Sequence, residues 1–138
     1  MPRSARDLLD GDPLTVAAAT PVLEVQHLLV LAHAYGMPVV EEDGRVIGMV
    51  SAVDVLRAID QALDPDLDDG ESDDTFEPLR TLTARDIAGD HMVWVEPTTP
   101  VDEVAAKMRT AGAHRVLVGT DGKLEGVLTA YDLLVAVA

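Results

Sequence analysis

The chain alternates between two spacings of hydrophobic residues. Short runs of apolar, β-branched residues indicate strands, and apolar residues at intervals of three and four positions indicate helices. A helix start is marked by Thr20-Pro21, where Thr can cap free backbone N–H groups and Pro fits the first helical position. The first half therefore predicts the order strand, helix, strand, strand, helix, with strands at Leu14–Ala17, Met37–Glu41 and Arg45–Val50 and the second helix at Ser51–Ala62.

The second half repeats this order of elements. A strand at Met92–Val95 and a helix at Pro100–Ala111 precede two strands and a closing helix, at Arg115–Val118, Lys123–Leu128 and Thr129–Val137. In both halves an Asp-Gly pair, which is a strong hairpin signal, separates the last two strands. A unit of this size is too small to bury both faces of its sheet. The predicted fold is therefore α/β, with two pseudo-symmetric units that pack together through their sheets.

The similarity between the halves extends to individual residues. Asp43–Leu56 returns as Asp121–Leu134, and six of these fourteen positions are identical. The two copies lie 78 residues apart, whereas the upstream pairs Thr20-Pro21 and Thr99-Pro100 lie 79 apart. One residue was therefore gained or lost, and we expect this change near Ala32–Tyr35. The repeat predicts three segments, namely a first unit at 1–63, an acidic linker at 64–80 and a second unit at 81–138.

Composition and charge restrict the classes of partner. The net charge of −15 opposes binding to nucleic acids and to anionic lipid, both of which require a basic surface. Although 48% of the residues are hydrophobic, no apolar run reaches the roughly 18 residues that a membrane span needs. The start of the chain has no hydrophobic signal segment, and the lack of cysteine excludes disulfides and thiolate chemistry. We therefore expect a cytoplasmic protein that binds neither nucleic acid nor membrane.

An acidic segment, Asp64–Pro78, separates the two halves and contains almost no residues suited to a core. Such a composition is typical of a solvated, mobile connection. Its Asp-x-Asp-x-Asp opening is similar to a calcium loop, but Asp69 replaces the required Gly and Thr75 replaces the expected Glu. A specific calcium site is therefore not predicted, and loose binding of divalent cations by this segment is the alternative.

The most informative local motif is a hydroxyl residue followed three positions later by Asp, where a strand leads into a helix. It occurs as Ser51–Asp54 and as Thr129–Asp132, each preceded by a glycine, Gly48 or Gly126, that removes side-chain bulk. An acid three residues after a Ser or Thr at the helix start is a capping-box pattern, which stabilises any helix. The same geometry offers N–H groups and a hydroxyl to a phosphate, and a carboxylate to the two hydroxyls of a ribose. The two roles are compatible, and the second indicates an adenosine phosphate.

The sequence around these motifs resembles a tandem pair of cystathionine-β-synthase (CBS) domains, often called a Bateman module. The resemblance rests on Gly36–Gly44, on Gly48–Asp54 and on the same frame in the second unit, down to Thr129–Asp132, and it covers nearly the whole chain. It implies two clefts between the units, where many family members bind AMP, ADP, ATP or S-adenosylmethionine and regulate an attached or associated protein. It also implies that no cofactor is required, and that a homodimer forms through helices such as Ala52–Ala62 and Thr129–Val137.

The resemblance assigns a role to each residue of the motif. In the family pattern the Asp holds the ribose, and the hydroxyl lies near the ribose or the phosphate. These roles fall here on Asp54 with Ser51 and on Asp132 with Thr129. Both copies of the motif are intact, so the resemblance implies two potential ligand sites.

The second strand of each unit supplies the other candidates. Family members often place basic residues at its start, which implies that His114 and Arg115 meet a phosphate, whereas the first unit offers Gly36-Met37. We therefore expect one good mononucleotide site and one weak site, with AMP or ADP favoured over ATP. The remaining candidates for ligand contact are Met37, Pro38, Thr15 and Trp94. Trp94 aligns with Thr15, and it either flanks an adenine or belongs to the core.

Enzyme signatures are absent from the sequence. The chain has no cysteine, no Gly-x-Ser-x-Gly nucleophile elbow, no Walker loop and no zinc-ligand spacing. We therefore expect no catalysis and no metal site, and we expect a sensor that modulates an unidentified effector protein. Two alternatives stay open. One is a ligand-free interaction module whose motifs only cap helices, and the other is a magnesium sensor that uses the acidic linker.

Overall fold

The computed structural model describes residues 4–63 and 77–137. Its elements in chain order are α1 (Ala5–Leu8), β1 (Val16–Ala17), α2 (Val22–Leu31), β2 (Gly36–Val40), β3 (Val46–Ser51), α3 (Ala52–Ala62), α4 (Glu77–Thr81), α5 (Ala84–Ile87), β4 (Trp94–Val95), α6 (Val101–Ala111), β5 (Arg115–Thr120), β6 (Lys123–Thr129) and α7 (Ala130–Val137). The α/β class and the order strand, helix, strand, strand, helix in each repeat are thereby confirmed. None of the helices in the described ranges has the length and hydrophobicity that a membrane span requires.

Each repeat forms a three-stranded sheet with the same topology. The strand orders are β1-β2-β3 and β4-β5-β6, and in each sheet the first strand runs parallel and the third antiparallel to the central one. Both sheets carry a register shift at the same place, between Val39 and Val40 in β2 and between Val118 and Gly119 in β5. The duplicated sequence therefore builds a duplicated backbone, including its irregularity.

The strand registers locate the residue by which the repeats differ. Val40 pairs with Val46 across five intervening residues, whereas its counterpart Gly119 pairs with Leu124 across four. The change in spacing from 79 to 78 residues therefore falls in the hairpin. The expectation of a change near Ala32–Tyr35 is wrong, because a hairpin loop takes up an extra residue without disturbing the pairing on either side of it.

Two compact units make up the described chain, and they differ from the two sequence halves. The first unit is Leu14–His91, and the second unit joins the segment up to Pro13 to the segment from Met92 onward. The short helices explain this exchange: the N–H of Ala84 donates to Thr20 O, and the N–H of Ala5 donates to Thr99 O, both at 2.8 Å. Each short helix thus packs with the repeat that it does not precede. The boundaries predicted at 1–63 and 81–138 mark the sequence repeats, not these compact units.

Each unit has its own aliphatic core. In the first unit, buried residues of β1–β3 pack with those of α2 and α3, including Val25, Val39 and Val55. Leu79 of α4 is 0% exposed and joins this core, so part of the predicted linker 64–80 belongs to the fold. In the second unit, Val104 and Met108 of α6 pack with β4–β6 and α1. The acidic segment 64–76 lies outside the described residues, so a mobile linker and cation binding there stay predictions.

The start of α2 differs from the expected cap. Thr20 does not cap the helix; Pro21 is the N-cap residue and no side chain caps it. Instead, the N–H of Val22 donates to Leu82 O at 3.0 Å, so a backbone carbonyl between α4 and α5 satisfies one of the free N–H groups. A long-range contact here replaces the local cap.

Candidate functional site

The two hydroxyl-x-x-Asp motifs lie at the same end of their sheets, where the third strand leads into a helix. We call Ser51–Asp54, between β3 and α3, site 1, and Thr129–Asp132, between β6 and α7, site 2. The first residue of β2, Gly36, pairs with Ser51, and the first residue of β5, Arg115, pairs with Thr129. Each site therefore combines a helix start with the beginning of the adjacent strand.

In site 1 the carboxylate of Asp54 folds back onto the helix start. Its Oδ2 accepts hydrogen bonds from the backbone N–H and the hydroxyl of Ser51, each at 2.8 Å, and Ser51 Oγ accepts from the N–H of Asp54 at 3.2 Å. On the other side of the carboxylate, Arg57 Nη1 lies 3.7 Å from Oδ1. Oδ2 of Asp54 is therefore hydrogen-bonded within the chain, and Oδ1 takes part in an ion pair that is too long for a hydrogen bond.

Site 2 repeats the cap but leaves one carboxylate oxygen open. Oδ2 of Asp132 accepts from the N–H of Thr129 at 2.8 Å and from its hydroxyl at 3.0 Å, and the N–H of Asp132 donates to Thr129 Oγ1 at 3.3 Å. The position that corresponds to Arg57 holds Val135. Within residues 4–63 and 77–137, no hydrogen bond or ion pair engages Oδ1 of Asp132. This oxygen is available to hydroxyl groups of a ligand.

The motif by itself does not identify a binding site, because the same hydroxyl-Ala-x-Asp sequence also occurs as Ser4–Asp7 and Thr83–Asp86. In both, the backbone N–H and the hydroxyl of the first residue donate to Oδ2 of the Asp, at distances from 2.8 to 3.2 Å. Capping is therefore a general role of this motif. Sites 1 and 2 differ from the other two copies because a paired strand begins beside them. Sequence reasoning missed these extra copies, although the Ala after the hydroxyl residue would have revealed them.

The residues at the start of the central strand differ between the sites. The first N–H of the helix donates to Tyr35 O at 2.8 Å in site 1 and to His114 O at 3.0 Å in site 2. The counterpart of Arg115 in the structure is therefore Gly36. The sequence alignment, which set Gly36-Met37 against His114-Arg115, is one residue out of phase. The reason is that the spacing between the repeats changes in the hairpin and not before it. In either alignment, basic side chains stand at this position in site 2 and not in site 1.

Three further predicted contacts belong to the first unit. Met37 is 1% exposed and Pro38 is fully buried, so neither side chain has free surface for a ligand. Thr15 is half-buried and precedes β1, which pairs with β2 through Val16 and Val39. The structure therefore leaves Thr15 as a candidate for side-chain contact and gives no support to contacts by the side chains of Met37 and Pro38.

Trp94 lines a pocket near the hairpin of its sheet instead of site 2. A Cβ placed on Gly119 would lie 2.9 Å from Trp94 Cζ3, so the indole ring covers this glycine. The pocket, with a volume of about 400 Å³, is lined by Trp94 together with charged residues that include Glu96, Glu103, Lys107 and Asp121, and by none of Arg115, Thr129 and Asp132. A contact of Trp94 with the ligand of site 2 therefore stays a prediction.

The glycines that precede the motifs make room for the protein itself. A Cβ on Gly48 would lie 2.7 Å from Gly89 O, and a Cβ on Gly126 would lie 2.4 Å from Leu9 Cδ2. Gly89 and Leu9 belong to the segments that follow α5 and α1. The space that the sequence suggested for a close approach is therefore filled by these segments.

Metal binding has no candidate cluster in the part of the chain that the structure describes. There, no group of three or more His, Cys, Asp or Glu side chains could hold a metal ion.

Comparison with known proteins agrees with this geometry. The CBS domain family matches residues 5–61 and 84–138, which is most of the chain. The gamma subunit of the 5'-AMP-activated protein kinase of Saccharomyces cerevisiae is 33% identical over 122 residues, which are 83% of this chain and 34% of that protein. The chain thus spans about a third of the length of this curated relative.

Two solved structures share the fold and are more than a quarter identical in sequence. The CBS domain of a membrane protein from Sphaerobacter thermophilus has a TM-score of 0.75 and 29% identity, over 95% of this chain and 85% of that one. A CBS domain protein from Pyrobaculum aerophilum, complexed with AMP, has a TM-score of 0.71 and 27% identity, over 98% and 99%. With the duplicated sheets and both hydroxyl-x-x-Asp sites in place, the chain belongs to the CBS domain family, as a tandem CBS pair.

Proposed function

We propose that this CBS pair is a regulatory module that binds an adenosine-type ligand and modulates a partner protein. AMP or ADP is the favoured ligand, with ATP and S-adenosylmethionine as further possibilities. The observation that carries the proposal is the open Oδ1 of Asp132 beside a strand that begins with Arg115. The similarity to an AMP-complexed protein and to a kinase gamma subunit supports the ligand class.

Site 2 has separate groups for the two ends of a nucleotide. Because the capping bonds occupy Oδ2 of Asp132, a ribose diol would donate to Oδ1. Arg115, paired with Thr129 across the strands, presents a guanidinium that can bind a phosphate through two parallel hydrogen bonds. The exposed His114 adjoins it. A carboxylate in the first turn of α7 and a guanidinium at the start of β5 match a ribose and a single phosphate.

The charge of the chain favours short phosphate chains. A net charge of −15 raises the energy of each additional negative group at the protein surface, and this penalty grows from AMP to ATP. Arg115 and His114 supply at most two cationic groups at site 2. AMP or ADP is therefore a better match than ATP.

The module is proposed to act through protein contacts and without catalysis. Apolar side chains remain exposed on two helices, with Leu56 of α3 at 63%, Leu134 of α7 at 66% and Val135 of α7 at 59%. Exposed apolar surface of this kind is typical of protein interfaces. We propose that α3 and α7 form the contacts of a homodimer, and that ligand binding changes how this dimer or an effector protein packs.

A ligand-free interaction module is the second candidate function. The four hydroxyl-Ala-x-Asp copies favour it, because all of them cap helices in the same way. Under this interpretation the exposed apolar helices are the functional surface, and sites 1 and 2 contribute only to stability. The two candidates differ in whether any adenosine compound binds.

Thermal unfolding of the purified chain distinguishes the candidates. AMP, ADP, ATP, S-adenosylmethionine and magnesium are each added alone, and a ligand at a hundred times its Kd should add about 2.7 kcal/mol, which raises Tm by several degrees. The proposal expects the largest shift with AMP or ADP. A shift with magnesium alone would indicate a cation sensor, and no shift with any compound would favour the interaction module.

A further inference from the structure

Arg57 distinguishes site 1 from site 2. Its Nη1 lies 3.7 Å from Asp54 Oδ1, whereas the corresponding residue in site 2 is Val135. Oδ2 of Asp54 already accepts two hydrogen bonds from Ser51, so Oδ1 is the oxygen that a ribose diol would need. Arg57 therefore lies in an ion pair beside the acceptor that the proposed ligand would use.

The ion pair between Arg57 and Asp54 is easily opened. The side chain of Arg57 is 65% exposed and that of Asp54 is 22% exposed. Exposed ion pairs contribute little to stability, because water competes for both charges and salt screens them. The long, flexible stem of arginine lets its guanidinium move to a neighbouring acceptor while α3 stays in place. A ligand that offers a better acceptor can therefore draw Arg57 away from Asp54.

The two sites take their cation from different elements. In site 2, Arg115 begins β5 and pairs with Thr129, and within residues 4–63 and 77–137 it forms no ion pair with Asp132. In site 1, the equivalent strand position is Gly36, and the guanidinium comes from α3. A comparison of strand starts alone misses this second cation, because Arg57 follows its motif by three residues.

We propose that Arg57 is a specificity-determining residue of site 1, which makes this site select phosphate-bearing adenosine ligands over neutral adenosine. This inference rests on the proposed function and deepens it. When AMP binds, the guanidinium leaves Asp54 Oδ1 for the phosphate, and Oδ1 accepts the ribose hydroxyls. Neutral adenosine has to break the same ion pair and gives Arg57 no new anionic partner. Site 2 keeps Asp132 open to both compounds.

Two matched substitutions in the full chain test this inference. Arg57→Val installs the residue of site 2, and Val135→Arg installs the residue of site 1. Amide resonances of Ser51–Asp54 and Thr129–Asp132 in two-dimensional NMR spectra report each site separately during titration with AMP or with adenosine. In the wild-type chain, site 1 should bind AMP about tenfold more tightly than adenosine. In Arg57→Val this ratio should fall to about twofold, with weaker AMP and tighter adenosine.

The reciprocal variant and the fold are checked in the same series. Val135→Arg should weaken adenosine binding at site 2 about threefold, because it blocks Asp132 Oδ1. Arg57 is exposed, so Arg57→Val should retain the wild-type Tm, and Arg57→Gln replaces it if it does not fold. Val135 belongs to the proposed homodimer contact, so Tm and oligomeric state are measured for Val135→Arg together with binding. An AMP preference that survives the loss of Arg57, or unchanged adenosine binding in Val135→Arg, overturns the inference and leaves the proposed function intact. If neither compound shifts either set of amides in the wild-type chain, the inference is overturned, and the proposed function then depends on the thermal-unfolding results with ADP, ATP and S-adenosylmethionine.

Discussion

The two repeats build the same sheet from different side chains. In the second repeat the large ring of Trp94 covers Gly119, whereas the positions 79 residues earlier hold Thr15 and Val40. A large residue facing a glycine in one copy thus corresponds to two residues of moderate size in the other. Because interiors are closely packed, the volume shared by neighbouring positions is more constrained than either residue alone. The duplication therefore preserved the shape of the sheet and allowed its residues to exchange volume.

The two sites also share their capping residues and differ in their cationic residues. Both sites keep the hydroxyl and the Asp that cap a helix, and their capping distances agree within a few tenths of an ångström. The cations differ, with Arg115 on a strand in site 2 and Arg57 on a helix in site 1. Residues that the backbone needs were retained, and residues that face the proposed ligand diverged. This comparison suggests two sites with different ligand preferences on one scaffold.

The largest expected effect is on stability and tests the exchange of volume. A Cβ on Gly119 would lie 2.1 Å from Lys123 O and 2.9 Å from the ring of Trp94, and the backbone oxygen cannot move aside as a flexible side chain would. Gly119→Ala should therefore lower the free energy of unfolding by about 3 kcal/mol, measured by urea denaturation. At the matched position, Val40→Ala removes atoms instead of adding them and should cost about 1 kcal/mol. If the two substitutions lower the free energy of unfolding equally, Gly119 is not more tightly packed than Val40, and the proposed exchange of volume is wrong.

The second effect is on binding and separates the capping role of the motif from its ligand role. Asp132→Asn keeps a side chain of the same shape but replaces the charged acceptor for a ribose with an amide, so AMP affinity at site 2 should fall about thirtyfold, measured by calorimetry. Asp86→Asn is the control, because Asp86 makes the same capping bonds at α5, outside both sites. It should lose a similar amount of stability and no AMP affinity. Unchanged binding in Asp132→Asn would remove the ribose assignment.

Local signals in the sequence were sufficient for the six strands, the four longer helices and their order, but they did not predict the short helices α1, α4 and α5. Hydrophobic spacing and the Asp-Gly pairs predicted both sheets, and the hydroxyl-x-x-Asp spacing located both helix starts. Contacts between distant residues were not predictable in this way. The exchange of α1 and α5 between repeats depends on bonds such as that from Ala84 N–H to Thr20 O, and the start of α2 depends on the carbonyl of Leu82.

In the candidate site, too, some features were predictable from the local sequence and others were not. The register sets Arg115 beside Thr129, and the ligand contacts of both residues stay predictions. The burial of Met37 and Pro38 was not predicted, since a short apolar run gives no sign of which residues face the interior when both faces of a strand are covered. The contact of Arg57 with Asp54 was also missed, although an opposite charge three residues along a helix is a visible signal.

The third prediction sharpens the difference in charge. Arg115→Gly gives site 2 the residue that site 1 has at this strand position, and it removes the proposed phosphate ligand. Affinity for AMP at site 2 should fall about tenfold, while affinity for adenosine should stay within about twofold, both measured by the NMR titration of site 2 amides. An equal loss for both compounds would mean that Arg115 supports the strand and does not contact the phosphate.

The smallest effect concerns the ends of α2 and α6. His33 has φ 52° directly after the C-cap of α2, and Gly112, 79 residues later, has φ 63° after α6. A left-handed backbone is unfavourable for most residues by about 1 kcal/mol, and glycine adopts it without that penalty. His33→Gly should therefore raise the free energy of unfolding by about 0.5 kcal/mol, because the greater freedom of glycine in the unfolded chain offsets part of the gain. Gly112→Ala should lower the free energy of unfolding by about 1 kcal/mol. Urea denaturation of both variants measures the two changes, which should have opposite signs, because the same backbone angle is strained in one repeat and relaxed in the other. Changes of the same sign would show that contacts of the His33 side chain, and not its backbone angle, determine the stability of this helix end.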